Sequence, residues 1–118
     1  MEMTATVLIV IVALLHIYFL VLEMFLWDKP FGRKTFGLTA EFAKESKALA
    51  ANQGLYNGFL AAGLIWGLLL GGIGTDVKIF FLSCVVIAGL YGGFTVGKKI
   101  LFIQALPAAI ALVLVLLG

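Results

Sequence analysis

The stretch TATVLIVIVALLHIYFLVLEMFLW, residues 4–27, decides the architecture, because it is one apolar run interrupted only by two ionisable side chains. About 17–25 predominantly apolar residues are enough for a helix to cross roughly 30 Å of hydrocarbon. The ionisable residues are His16 and Glu23. Seven positions apart, they fall within about 20° of each other around a helix and about 10.5 Å apart along it, so they share one face. An ionisable group inside a membrane span costs on the order of 2.5–3.5 kcal/mol even on lenient scales. Such a group turns toward the protein interior and is a functional candidate by default.

The remainder of the chain has the same character. Of its 118 residues, 64% are hydrophobic and 12% charged, against roughly 45–50% and about 25% in a soluble domain. This predicts an all-α fold: an integral membrane four-helix transmembrane bundle, one domain over residues 1–118. The apolar runs place spans at about 4–27, 48–71, 77–97 and 100–118, with lipid as their solvent because they are apolar nearly all round. Residues 1–3 contain Glu2 and no Lys or Arg, and no small-residue cleavage pattern follows the first run. Residues 4–27 are therefore expected to be a mature span and not a signal peptide.

Basic residues orient these spans. Lys29, Arg33, Lys34, Lys44 and Lys47 lie in the first loop, Lys98 and Lys99 in the third, and Lys78 alone on the other side. The positive-inside rule puts loops one and three in the cytoplasm and both termini outside. The net charge of +2 is small, and with its cations beside spans it gives no nucleic-acid footprint. Within the loop 28–47, Asp28-Lys29-Pro30-Phe31-Gly32 reads as a stop and turn, with Gly32 available for a positive φ. Thr39 reads as an N-cap, followed by an amphipathic segment with Leu38, Phe42 and Leu49 on one side and Glu41, Lys44, Glu45 and Lys47 solvated. Cys84, the single cysteine, is expected as a small buried thiol.

Polar residues gather in the cytoplasmic halves of the spans. Taking Asn52 as 0°, Tyr56 falls near 40°, Gln53 near 100° and Asn57 near 140°, one broad arc of the second span. Glu23, Asn52, Gln53, Tyr91 and Gln104 come out about 6–7.5 Å from the cytoplasmic ends of their helices, Tyr56 and Asn57 about 12–13.5 Å, and His16 about 16 Å. Asn, Gln and Tyr can donate to a carboxylate or accept from an imidazole, so this depth predicts a polar inner-leaflet pocket. The competing reading is a self-satisfied network that only locks the bundle. Gly63, Gly67 and Gly71, and Gly89, Gly93 and Gly97, are spaced as close-packing seams. One His, one Cys and one intramembrane Glu form no metal-ligand spacing. No phosphate loop or dinucleotide fingerprint is present, so neither metal nor cofactor is expected.

The segments His16-Ile17-Tyr18-Phe19, Leu22 to Trp27, Asn52-Gln53-Gly54-Leu55-Tyr56-Asn57-Gly58, and Gln104 with Pro107-Ala108 resemble a family of small bacterial four-span membrane proteins catalogued as domain of unknown function 1304. The resemblance runs over essentially the whole chain. It implies a fold and a multi-pass location in the bacterial inner (plasma) membrane, and assigns no role to any residue. Three functions then stand as expectations. The ligand-binding or proton-handling candidates are His16, Glu23, Asn52, Gln53, Tyr56, Asn57, Tyr91 and Gln104, and the first function is binding of an amphipathic, lipid-like small molecule with Glu23, Asn52, Gln53, Asn57 and Gln104 supplying polar contacts. The second is proton-coupled export, since size, span number and a Glu in the first span look like the small multidrug resistance transporters. Against it, Glu23 lies near the cytoplasmic end and the charge bias disfavours dual orientation. The third is intramembrane catalysis on a lipophilic substrate, in which substrate or water must bridge His16 and Glu23. Expected partners are membrane lipid, an amphipathic small molecule and, through the glycine seams, a second copy of the chain.

Overall fold

The computed structural model describes residues 2–118. Among them are five helices and no strand: α1 (Glu2–Met24), α2 (Pro30–Phe36), α3 (Ala40–Leu69), α4 (Thr75–Thr95) and α5 (Lys98–Leu117). A 3₁₀ turn, Gly71–Gly74, leads from α3 into α4. Three helical segments, Glu2–Met24, Gly71–Thr95 and Lys98–Leu117, are long and apolar enough to cross a membrane. At 30 residues, or about 45 Å, α3 is longer than any of them. Its first turns carry Glu41, Lys44, Glu45 and Lys47, and Asn52, Gln53 and Asn57 follow, so it is less apolar than the other three.

Several boundaries differ from the sequence reading, each for a local reason. The first helix stops at Met24 and not at Trp27, because the Val21 carbonyl accepts both the Phe25 N–H at 3.0 Å and the Leu26 N–H at 3.2 Å. That widened last turn releases the chain into a bend closed by Lys29 N–H on the Leu26 carbonyl at 3.0 Å. Pro30 does not mark the stop. It opens α2 in the first-turn position, where its fixed φ fits and its missing N–H leaves nothing unpaired. Gly32 does not adopt a positive φ either; Gly37 and Gly71 do, both at +65°. Gly32 is needed for space, since a Cβ there would run into the Leu26 carbonyl.

The expected interfacial segment and second span form one uninterrupted helix, α3. Thr39 caps it as anticipated, its Oγ1 accepting the Phe42 N–H at 3.1 Å. At the far end Gly71, left-handed at +65°, terminates α3, so it belongs to the turn and not to a packing seam. Gly97 is likewise outside a seam: it is extended, with open space around its Cα. In α5, residues Leu101–Ala105 form a π-turn, closed by Leu106 N–H on the Leu101 carbonyl, just before Pro107.

The described residues fall into two compact units. In the unit made of residues up to Leu14 together with Leu60–Gly118, the core consists of Ile9, Val12 and Ala13 from α1, Leu64 from α3, Leu82 and Val85 from α4, and Ala108 and Ala111 from α5. The small residues set how closely these helices pack. A Cβ on Gly89 would lie 2.7 Å from the Ala105 nitrogen, and one on Gly93 would lie 3.0 Å from the Leu101 Cβ. Gly63 opposes the Phe81 ring, and Gly67 opposes the Lys78 stem. Gly63, Gly67, Gly89 and Gly93 are thus occupied by contacts within the chain.

In the second unit, Leu15–Phe59, the last turns of α1 pack antiparallel to α3, and α2 folds beneath the bend. Ala43, Ala50 and Asn57 are buried at seven-residue spacing on α3, and Gly54 is buried beside them. Trp27 fastens the bend: its Nε1 donates to Ser46 Oγ at 2.9 Å, and its ring lies 5.0 Å from that of Phe36. Ser46 in turn donates to the Phe42 carbonyl at 2.6 Å.

Candidate functional site

The polar group at the end of α1 is built from backbone proximity. A Cβ on Gly54 would lie 2.6 Å from Met24 Cγ, 3.1 Å from Glu23 Cβ and 3.2 Å from the Leu20 carbonyl oxygen, and one on Gly58 would lie 2.7 Å from Leu20 Cδ1. Two glycines one turn apart therefore let the α3 backbone close onto α1, with Asn57 between them. At that separation Asn57 reaches across, and its Nδ2 donates to Glu23 Oε1 at 2.5 Å. Asn57 is 7% exposed and Glu23 half-buried. Among the described residues no half-buried or buried side chain hides a polar atom without a partner. Since Oε1 is the carboxylate oxygen that Asn57 holds, Oε2 reaches the protein surface.

The arc read from the sequence is divided by the packing. Asn57, at its far end, faces α1; Asn52, Gln53 and Tyr56 are exposed, Tyr56 by 54%. The seven-residue spacing of Ala43, Ala50 and Asn57 decides which end turns inward. The depth estimate, which put Asn52 level with Glu23, is also corrected: Asn57 meets the carboxylate, more than a turn further along α3. The cause is that α1 ends early while α3 extends beyond it by its first three turns or so.

His16, two turns before Glu23 on α1, is fully buried and sits edge-on to Phe19, with ring centroids 5.4 Å apart. The other two predicted residues belong to the first unit. Tyr91, on α4, is 72% exposed. Gln104 lies in the π-turn of α5 and is half-buried.

Sequence reasoning passed over Gly54 and Gly58 as packing residues, although their own four-residue spacing is the same signal that singled out the other glycines. It also passed over Ser46. A serine among Lys and Glu gives no sign that an indole 19 residues earlier will donate to it. Outside the apolar helices, Lys47 Nζ lies 3.1 Å from Asp28 Oδ2. The hydrogen bond from Lys47 holds the Asp28 carboxyl below its ordinary range.

Comparison with known proteins places these residues in a family context. The family described as "Protein of unknown function (DUF1304)" matches residues 10–116, a range that includes all eight candidate residues. The "Uncharacterized protein YpaA" of Lactococcus lactis subsp. lactis (strain IL1403) is 30% identical over 115 residues, covering 96% of this chain and 97% of that protein. No solved structure matches.

Proposed function

Because the chain belongs to the DUF1304 family of proteins of unknown function, its activity has to be read from its own residues, and we propose that it binds an amphipathic, lipid-like small molecule at Glu23. In this reading residues 1–118 form one multi-pass domain of the bacterial inner membrane. The part of α3 from about residue 48 onward serves as a fourth span in addition to the three more apolar segments, and both termini are extracytoplasmic, a topology favoured by seven basic residues on one side against one on the other.

The observation that carries the reading is the Glu23 carboxylate itself. One oxygen is held by Asn57, and the half-buried carboxylate stands near the end of an apolar helix. A carboxyl group at such a depth is costly unless its remaining lone pairs find donors. An amphipathic molecule lying along α1 and α3 supplies a donor or a cation to Oε2 while its apolar part stays in lipid. Gln53, Asn52 and Tyr56, exposed on the adjoining arc of α3, offer further polar contacts to the same head group.

Native mass spectrometry of wild-type and Glu23→Gln protein released from mild detergent tests this. A retained small molecule that the substitution removes is the expected result, and its mass identifies the ligand. Adduct-free protein in both spectra refutes tight binding. A proton-coupled exporter would employ the same carboxylate, and it separates from simple binding by efflux that needs a pH gradient and disappears in Glu23→Gln.

A further inference from the structure

The short helix α2, PFGRKTF, contains no acidic residue. One side of it is fixed: Gly32 is buried against the Leu26–Trp27 backbone, and Phe36 touches the Trp27 ring. At about 100° per residue the opposite side presents Pro30, Arg33, Lys34 and Gly37, and these residues with Leu38 line a shallow surface groove. Arg33 lines it half-buried, its Nε donating to the Leu38 carbonyl at 3.5 Å, a bond that uses neither terminal guanidinium nitrogen. Lys34 is exposed. Among the described residues the only ion pair is Lys47 with Asp28, whose carboxyl Lys29 also helps to hold low, so Arg33 and Lys34 are the cations of this segment with no acidic partner. Phe31 on α2 is 54% exposed, and Phe25, the residue that follows the apolar helix α1, is 63% exposed.

We propose that the Pro30–Leu38 groove of α2 docks the phosphate-bearing headgroup of an anionic phospholipid of the cytoplasmic leaflet. Charge selects the occupant, because a guanidinium and an ammonium side by side match a phosphate diester and have no acid of their own. The exposed rings select the source. Phe25 and Phe31 are large apolar rings that the fold leaves exposed, and at a bilayer surface they enter the acyl region while the cations stay at headgroup level. A soluble acidic peptide would satisfy the charges and leave both rings wet. The inference rests on the membrane reading above, although it does not depend on a ligand at Glu23.

The test uses full-length protein in detergent, titrated separately with phosphatidylglycerol and phosphatidylcholine and read by native mass spectrometry as lipid bound per chain. Phosphatidylglycerol is expected to bind about tenfold more tightly. In the double variant Arg33→Gln/Lys34→Gln the two lipids should come within about twofold of each other, while Lys44→Gln, which removes a cation from α3, keeps the preference. Lys34→Gln alone retains the Arg33 bond to Leu38 and should lose part of the preference with the helix content unchanged, which guards against misfolding of the double variant. Equal binding of both lipids, or an unchanged preference in the double variant, overturns the proposal. So does full competition by glycerol 3-phosphate, which would mean a site for free phosphate. Protein that alkaline carbonate strips from membranes overturns the membrane reading and this proposal together, whereas embedded protein without lipid selectivity overturns this one alone.

Discussion

Replacing Gly89 by alanine puts a methyl group into the closest helix crossing of the α4–α5 pair, and the structure fixes what it meets. The new Cβ would lie 2.7 Å from the Ala105 nitrogen, 2.8 Å from its Cβ and 2.9 Å from its Cα, where carbon contacts settle at about 3.5–4.0 Å. Ala105 is 4% exposed, and two of the three opposed atoms are backbone, so no side-chain rotation relieves the overlap. The helices must part by roughly 0.7 Å or more, and a gap of about 0.5–1 Å forfeits a quarter to a half of each dispersion contact along the seam. Overpacking of this kind costs about 1–3 kcal/mol, against a gain of about 1 kcal/mol from replacing a helical glycine by alanine. The net is a loss of up to about 2 kcal/mol. Gly93, one turn later on the same seam, is the control. Its Cβ would meet Leu101 Cβ at 3.0 Å, a milder overlap than at Gly89, and Leu101 Cδ1 and Cγ at 3.1 and 3.5 Å, which can rotate aside, so Gly93→Ala should be within about 0.5 kcal/mol of wild type after the same propensity gain. Reversible unfolding in mixed detergent micelles gives both values. Equal losses, or a larger loss at Gly93, would refute the argument that backbone contact and not glycine spacing sets the cost.

Three further outcomes follow from the second unit. Asn57→Ala should destabilise by about 1–3 kcal/mol, the cost of leaving a buried partner unsatisfied, and a double-mutant cycle with Glu23→Ala should show coupling of at least about 1 kcal/mol; coupling near zero would mean the pair does not form. Gly32→Ala should displace α2 and red-shift Trp27 fluorescence as the ring loses Phe36, whereas Gly37→Ala, which meets no atom, should cost only the roughly 1–2 kcal/mol of a left-handed backbone and leave the spectrum unchanged. The Asp28 carboxyl, held low by Lys47, contributes stability above its unfolded value that is lost as pH falls through the lowered folded value. Its NMR titration midpoint should rise toward that of an ordinary aspartate in Lys47→Gln and in high salt, and an unmoved midpoint would assign the shift elsewhere.

How much of this could be read without coordinates depended on the range of each interaction. Apolar runs broken by charge and glycine determined that the chain is helical and roughly where its long apolar helices lie, though not α2 or the start of α3, since helix formation answers to neighbours three and four residues away. The Thr39 cap was legible for the same reason: its acceptor and donor are three residues apart. Pro30 was a boundary signal whose sense was ambiguous, because a proline both ends one helix and begins another. The candidate residues were singled out as costly to bury, yet Asn52, Gln53, Tyr56 and Tyr91 are exposed and only His16 and Asn57 are buried, and their partnership was not legible either. Asn52, Gln53, Tyr56 and Asn57 are all amides or hydroxyls within two turns, and local sequence gives each an equal claim on Glu23. The tertiary structure alone chose Asn57, 34 residues away. The choice depended on where α1 stops, on how far α3 runs past it, and on the absence of side chains at Gly54 and Gly58 that brings the two backbones together. Each of these is a property of two helices in contact, and no periodicity within either one encodes it.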